Sequence, residues 1–110
     1  MPVNRLTSKF WIDAYSKRLE AAAIPVFVIK KGDDKAGAIF IRVSNLSGQA
    51  ILFSQTCDPS GRKVWFELAN GTDHEIESAI TRQIQFDPDL WVLEVEEKNG
   101  RHLLDEISKE

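Results

Sequence analysis

Leu90-Trp91-Val92-Leu93-Glu94-Val95-Glu96 is the stretch on which the fold turns. Trp91, Leu93 and Val95 alternate with Val92, Glu94 and Glu96, and a period of two is that of a strand, whose successive side chains leave opposite faces. The segment before it has another period. Ile76, Ala79, Ile80 and Ile84 recur at three- and four-residue steps, which gathers them on one stripe of a helix. Thr72 with Glu75 fits a capping box, each side chain satisfying a backbone N–H at the other end. Asp73, Glu75 and Glu77 crowd the first turns and Arg82 lies near the end, as the helix dipole favours. Asp87-Pro88 stops the helix.

Working back towards the N-terminus, four short apolar runs precede this helix: Val26 to Ile29, Ala38 to Val43, Gln49 to Thr56 and Val64 to Leu68. Polar turns separate them, and Asp58-Pro59-Ser60-Gly61 has the residues a type I turn favours. Strands joined by short turns have no room for crossovers, so neighbours are expected to pair antiparallel as a meander. Ile39, Ile41 and Val43 point one way, Phe40 and Arg42 the other. Ahead of them, Thr7 and Ser8 suit an N-cap. Phe10, Trp11, Ala14, Tyr15, Leu19, Ala22 and Ala23 form a helical stripe over about Lys9 to Ala23, ended by Pro25.

After the last strand, Asn99-Gly100 is a hairpin signal that allows Arg101 to Leu104 to return as a sixth, short strand. Asp105 to Glu110 reads as a helical turn or a tail. The expected fold is α+β: a five-stranded, optionally six-stranded, mainly antiparallel sheet with two helices packed on one face, making two layers. Residues 1–110 form a single domain at this length. The position of the strand beginning at Leu90, edge or centre, is open.

Composition narrows the function classes. Apolar residues are 43% and charged residues 28% of the chain, ordinary globular usage. Acids outnumber bases 17 to 14, which argues against nucleic acid as a partner, since phosphates need a basic face. The nearest basic clusters are Lys30 with Lys31 and Arg62 with Lys63. Cys57 is the only cysteine, so neither an internal disulfide nor a cysteine-rich zinc cluster can form. The N-terminal residues lack the apolar core of a signal peptide, and no apolar run approaches the ~20 residues of a membrane span. The cytoplasm is the default compartment.

Two further stretches carry a resemblance. Leu6-Thr7-Ser8-Lys9-Phe10-Trp11 leads into a helix with Arg18 and Glu20. Arg82-Gln83-Ile84-Gln85-Phe86-Asp87-Pro88-Asp89-Leu90-Trp91-Val92 is followed by Glu94, Glu96 and Gly100-Arg101-His102. With Lys31-Gly32-Asp33 and Ala36-Gly37-Ala38, the chain resembles a small bacterial family catalogued as domain of unknown function 1491. The likeness runs over essentially the whole chain, and Phe-Asp-Pro-Asp-Leu-Trp is its most specific part. It implies fold and domain extent, and carries over no catalytic residue and no cofactor.

Chemistry must be sought in the residues themselves. There is no glycine-rich phosphate loop, no His-x-x-x-His, no Gly-x-Ser-x-Gly and no spaced metal-ligand set, so neither metal nor cofactor is expected. Arg82, Asp87, Asp89, Trp91, Arg101 and His102 lie within one helix end, one strand and one hairpin of each other. If Arg101 and His102 fold back beside the last strand, Glu94 or Glu96 opposes them, and a carboxylate beside His102 is an acid–base arrangement. His102, Asp87 and Glu94 are then catalytic candidates, and Arg82, Arg101 and Asp89 ligand-binding candidates. The same residues read better as a helix stop, caps and an exposed charge ladder. His74, flanked by acids in the first turn of its helix, reads as surface.

A second signal is apolar surface left over. Phe27 and Ile29 alternate with Val26 and Val28, Phe40 opposes Ile39 and Ile41, and Trp65 opposes Val64 and Phe66. Two helices on one face cannot cover the other, and soluble monomers rarely leave large apolar patches bare. Phe27, Phe40 and Trp65 are therefore the expected contacts of a non-enzymatic interaction domain, acting through self-association as a homo-oligomer or through another protein. The competing readings are a small enzyme or ligand-binding protein around Arg82, Asp87, Arg101 and His102, and a weak nucleic-acid binder.

Overall fold

The computed structural model describes residues 7–57 and 59–107. Asp58, the first residue of the expected type I turn, and the side chain of Cys57 lie outside them, as do residues 1–6 and 108–110. The elements run α1 (Ser8–Ala21), β1 (Val26–Lys30), β2 (Ile39–Ser44), β3 (Gln49–Cys57), β4 (Lys63–Thr72), α2 (Asp73–Phe86), β5 (Trp91–Glu96) and a short α3 (Leu104–Ile107). The fold is α+β with a mixed sheet, mostly antiparallel with one parallel pairing.

The strand order is β1-β5-β2-β3-β4. β2, β3 and β4 form the expected meander, but β1 does not pair with β2. β5 enters between them, antiparallel to β1 and parallel to β2, with Ile41 beside Leu93 and Val43 beside Val95. The reason is burial. Trp91, Val92, Leu93 and Val95 are all inaccessible, and a strand that is apolar towards both faces is stable only where both faces are covered.

That placement corrects the expectation of two layers. α1 buries Ile12, Tyr15 and Leu19 against Ile39, Ile41, Val43, Trp91, Leu93 and Val95. α2 buries Ile76, Ala79 and Ile80 against Phe40, Ala50, Leu52, Leu90 and Val92. Residues that alternate along β2 and β5 belong to different clusters, so the two helices lie on opposite faces and the sheet is the middle of three layers. Burying each of the larger side chains contributes about 1.5–3 kcal/mol.

Local signals set the helix ends. Thr7 accepts from the Phe10 amide at 3.1 Å, and Thr72 and Glu75 close the capping box at 3.2 and 2.9 Å. Phe10 leaves the predicted stripe and is exposed. It stands 200° around the helix from Ile12 at 100° per residue, so the two cannot face the same core. The sixth strand does not form. Gly100 turns the chain at φ +79°, and residues 101–103 pass over the α1 face without pairing. Leu104, only 1% exposed, enters the core there and opens α3.

Candidate functional site

The cluster expected around β5 is assembled as a clasp between two loops. Lys30 donates to the carbonyls of Lys31, Pro88 and Leu90 at 3.3, 2.6 and 3.2 Å. The Asp33 amide donates to the Asp89 carbonyl at 2.9 Å, and the Trp91 indole N–H donates to the Asp33 carbonyl at 2.7 Å. The Asp33 carboxylate accepts from the Lys35 and Ala36 amides, and Asp87 accepts from the Asp89 amide at 3.1 Å. Ser8, at the start of α1, donates to the Gly37 carbonyl at 2.6 Å. Gly32 and Gly37 lie directly against the Asp89 carbonyl, where a Cβ would meet backbone atoms. Asp87 and Asp89 thus hold loops together, and neither presents a carboxylate to His102.

His102 is placed elsewhere. Its ring packs on Phe53, centroids 4.7 Å apart, on the face that carries α1. Nδ1 accepts from the Leu104 amide at 3.0 Å, which puts the ring proton on Nε2. Its carbonyl accepts from the Tyr15 hydroxyl at 2.8 Å. Burial pushes the imidazole below its usual value, against the pull of Asp105, and burial also pushes the Tyr15 phenol well up. Glu94 alternates with Leu93 and points to the α2 face, so the sheet separates it from His102. Arg101 is exposed, and its amide donates to Glu97 at 2.9 Å. Arg82 is exposed on α2, beside a shallow groove shared with Asn70, His74 and Ser78. The acid–base set imagined around β5 is therefore not brought together.

Arg42 gathers a different group, one the sequence reading passed over. A lone cation in the apolar run Ile39–Val43 was its signal, because a charge inside such a strand has to be paired. Its side chain, 13% exposed, lies 3.1 Å from Asp73, 3.9 Å from Glu77 and 4.0 Å from Glu94. Its Nε has no hydrogen-bond partner among the described residues. Burial raises Glu94 above the usual carboxylate range against the opposing effect of Arg42, and a hydrogen bond with Glu96 adds to the rise.

The apolar remainder is smaller than expected, and it lies along both outer strands, at Phe27, Val28 and Ile29 on β1 and, less exposed, at Phe66 and Leu68 on β4. Phe40 is covered by α2. Trp65 packs on the α1 side, 5.3 Å from Trp11, which itself stacks on Tyr15 at 4.8 Å. Both leave the surface that the sequence had assigned them. Phe27 stays out, with Val28 and Ile29 beside it, at 49, 51 and 57% exposure. β1 is an outer strand that pairs with β5 alone. Lys30 ends β1 with Lys31 next to it, and Lys63 opens β4 with Arg62 before it, so the basic pairs sit at the two opposite outer strands. Among the described residues no helix is long and apolar enough to cross a membrane, and no His, Cys, Asp or Glu side chains gather as metal ligands.

Residues 6–105 match the model of a family described as "Protein of unknown function (DUF1491)". The chain belongs to the DUF1491 family. A crystal structure of a DUF1491 family protein from Caulobacter crescentus CB15 superposes with a TM-score of 0.83 at 32% identity, covering 91% of this chain and 95% of that one. An NMR structure of a DUF1491 family protein from the same organism gives 0.80 at 32% identity, over 93% and 94%. The solution structure of protein Atu0922 from A. tumefaciens gives 0.73 at 30% identity, over 84% and 86%. No curated protein matches this DUF1491 chain.

Proposed function

We propose that this chain is a non-enzymatic interaction domain that engages another protein chain along the outer edge of β1. One observation carries the reading: Phe27, Val28 and Ile29, consecutive on a strand paired on one side only, are each about half exposed. Val26 packs on the α1 cluster, but Phe27 and Val28 leave opposite faces and each is about half exposed, so beyond Val26 the strand is open on both sides. An outer strand also presents unpaired N–H and C=O groups, a template for an added strand, and folded proteins ordinarily blunt such edges with charges or proline. Within Val26-Phe27-Val28 there is neither, and the bulge that interrupts the pairing with β5 comes after it, between Val28 and Lys30. The lysine that follows turns its ammonium inward to three carbonyls.

The acid–base alternative loses its support from geometry. His102 uses Nδ1 to fix Leu104, and Glu94 lies across the sheet from it.

The test is site-specific photo-crosslinking in the cells the protein comes from, with a benzophenone amino acid at position 27 or 29 and, as control, at exposed Leu46 in the β2–β3 turn. Adducts of defined mass from positions 27 and 29, absent at 46 and lost when Val28→Lys is added, are expected. Equal crosslinking at all three positions, or none at 27 and 29, refutes the reading.

A further inference from the structure

Resting on that edge-docking reading, we infer that the occupant of β1 is an extended, basic segment of a partner protein, with an arginine or lysine laid over Phe27 towards Glu94 and Glu96. Across the sheet, Phe27 on β1 is the register partner of Glu94 on β5, which is the partner of Arg42 on β2. All three project to the α2 face. Arg42 is already shared among Asp73, Glu77 and Glu94, and Glu96, two residues along β5, leaves the same face as Glu94. Three carboxylates around one guanidinium, with Glu96 further along the same face, leave this corner negative, and burial makes the Glu94 charge harder to hold. A cation arriving there relieves it.

The edge sets where that cation comes from. A strand added to β1 lies about 4.8 Å further out, so the side chain facing Phe27 stands about two strand spacings from Glu94. A long cationic side chain reaches that far with its stem across the Phe27 ring, combining apolar contact, attraction to the ring face and charge pairing. A shorter or neutral side chain covers the ring and leaves the carboxylates as they are.

A second copy of this chain fits less well. Antiparallel pairing about Val28 places Ile29 against Phe27 and Val26 against Lys30. The one cation in the strand is Lys30, whose ammonium is held by the carbonyls of Lys31, Pro88 and Leu90. Self-pairing would therefore bring acidic corners onto one continuous sheet without a counter-charge.

The probe is a synthetic capped peptide, Thr-Val-Arg-Val-Arg-Val-Thr, titrated into the isotope-labelled full chain, with matched peptides carrying Gln or Glu in place of Arg. The arginine peptide is expected to shift the amides of Val26 to Lys30 and the carboxyl resonances of Glu94 and Glu96, and to lower the Glu94 titration midpoint. Its affinity is expected to fall about tenfold between about 50 mM and about 500 mM salt, and at least fivefold in the Glu94→Gln/Glu96→Gln variant. If the glutamine peptide binds β1 equally well, edge docking stands and the basic partner is wrong. If the arginine peptide shifts residues elsewhere, or none of the peptides binds, the inference fails. Concentration-dependent self-pairing of the free chain through β1 would replace the basic partner with a second copy.

Discussion

Gly32→Ala should destabilise the domain by about 2–4 kcal/mol, and the reason is space. A Cβ on Gly32 would come within 2.6 Å of the carbonyl carbon and oxygen of Leu90, where ordinary contact begins at 3.4 Å. The atoms it meets are backbone at the entry to β5, so no side chain can swing away. The Asp89 carbonyl oxygen lies nearer still, so accommodating the methyl group requires the two loops to part by about 1 Å, which stretches the 2.9 Å bond from the Asp33 amide to Asp89 beyond hydrogen-bonding range. The loss of that bond is worth about 0.5–1.5 kcal/mol, and overpacking adds about 1–3 kcal/mol. For a domain of this size the sum lowers Tm by roughly 10–20 °C. Calorimetry gives Tm, and the Trp91 indole N–H resonance gives the local effect, because its 2.7 Å bond to Asp33 must loosen as the loops separate. A variant within about 0.5 kcal/mol of the parent (the ordinary scatter of surface substitutions), with that resonance unmoved, would refute the clasp.

Three other outcomes follow from the packing and the charges. Phe40→Ala should cost about 3–5 kcal/mol in urea unfolding and the half-exposed Phe27→Ala no more than about 1.5 kcal/mol, because α2 covers only the first; equal costs would refute the assignment of faces. His102 binds its proton less readily in the folded chain than its ordinary value of 6.5, so the stability it supports is present above about pH 6.5 and is lost as pH falls through the lower folded value. His102→Asn keeps an acceptor for the Leu104 amide and should flatten unfolding free energy between pH 7 and pH 5; an unchanged slope refutes the latch. Glu94 is shifted the other way, so its contribution is present at low pH and is lost as pH rises through its raised folded value. Glu94→Gln should therefore raise Tm at pH 8 more than at pH 4, as thermal melts at the two pH values would show.

Much of the fold was legible because its signals are local. The capping box at Thr72 and Glu75, the α2 stripe and the alternation of β2 and β5 each depend on residues a few positions apart, and each formed where expected. The face on which a helix lands is not local. α2 carries the chain from β4 across the sheet to a strand parallel to β4, and the right-handedness of such crossovers selects the face. The sequence held one usable sign of this. Leu90, Val92, Trp91, Leu93 and Val95 are apolar on both alternating sets, the pattern of a strand covered on both sides, and that pattern calls for a helix on each face. The same misplacement carried Phe40 and Trp65 to the surface in the sequence reading. The pairing of Glu94 with His102 rests on a strand returning beside β5 after Asn99-Gly100; the direction the chain takes after Gly100 separates them, and no local pattern records it.

The Phe-Asp-Pro-Asp-Leu-Trp block shows where structural explanation stops. Asp87 caps the Asp89 amide, and Pro88 and Leu90 offer carbonyls to Lys30. The Asp89 carbonyl receives the Asp33 amide, the Leu90 side chain is buried under α2, and Trp91 joins the core and the clasp together. Pro88 and Asp89 take part through their backbone, and Asp87, Leu90 and Trp91 each have a side-chain reason to be what they are. Phe86 has none: it ends α2 at 84% exposure, two residues from the carbonyl that holds Lys30 at the close of β1. An aromatic ring in water contributes nothing to burial, so Phe86→Ala should leave unfolding free energy within about 0.5 kcal/mol of the parent. On the edge-docking proposal, a ring that the fold does not need, near the end of that outer strand, is counted with Phe27 and Ile29 as surface offered to the partner. If Phe86→Ala instead unfolds the domain, the ring packs inside and the edge loses that neighbour.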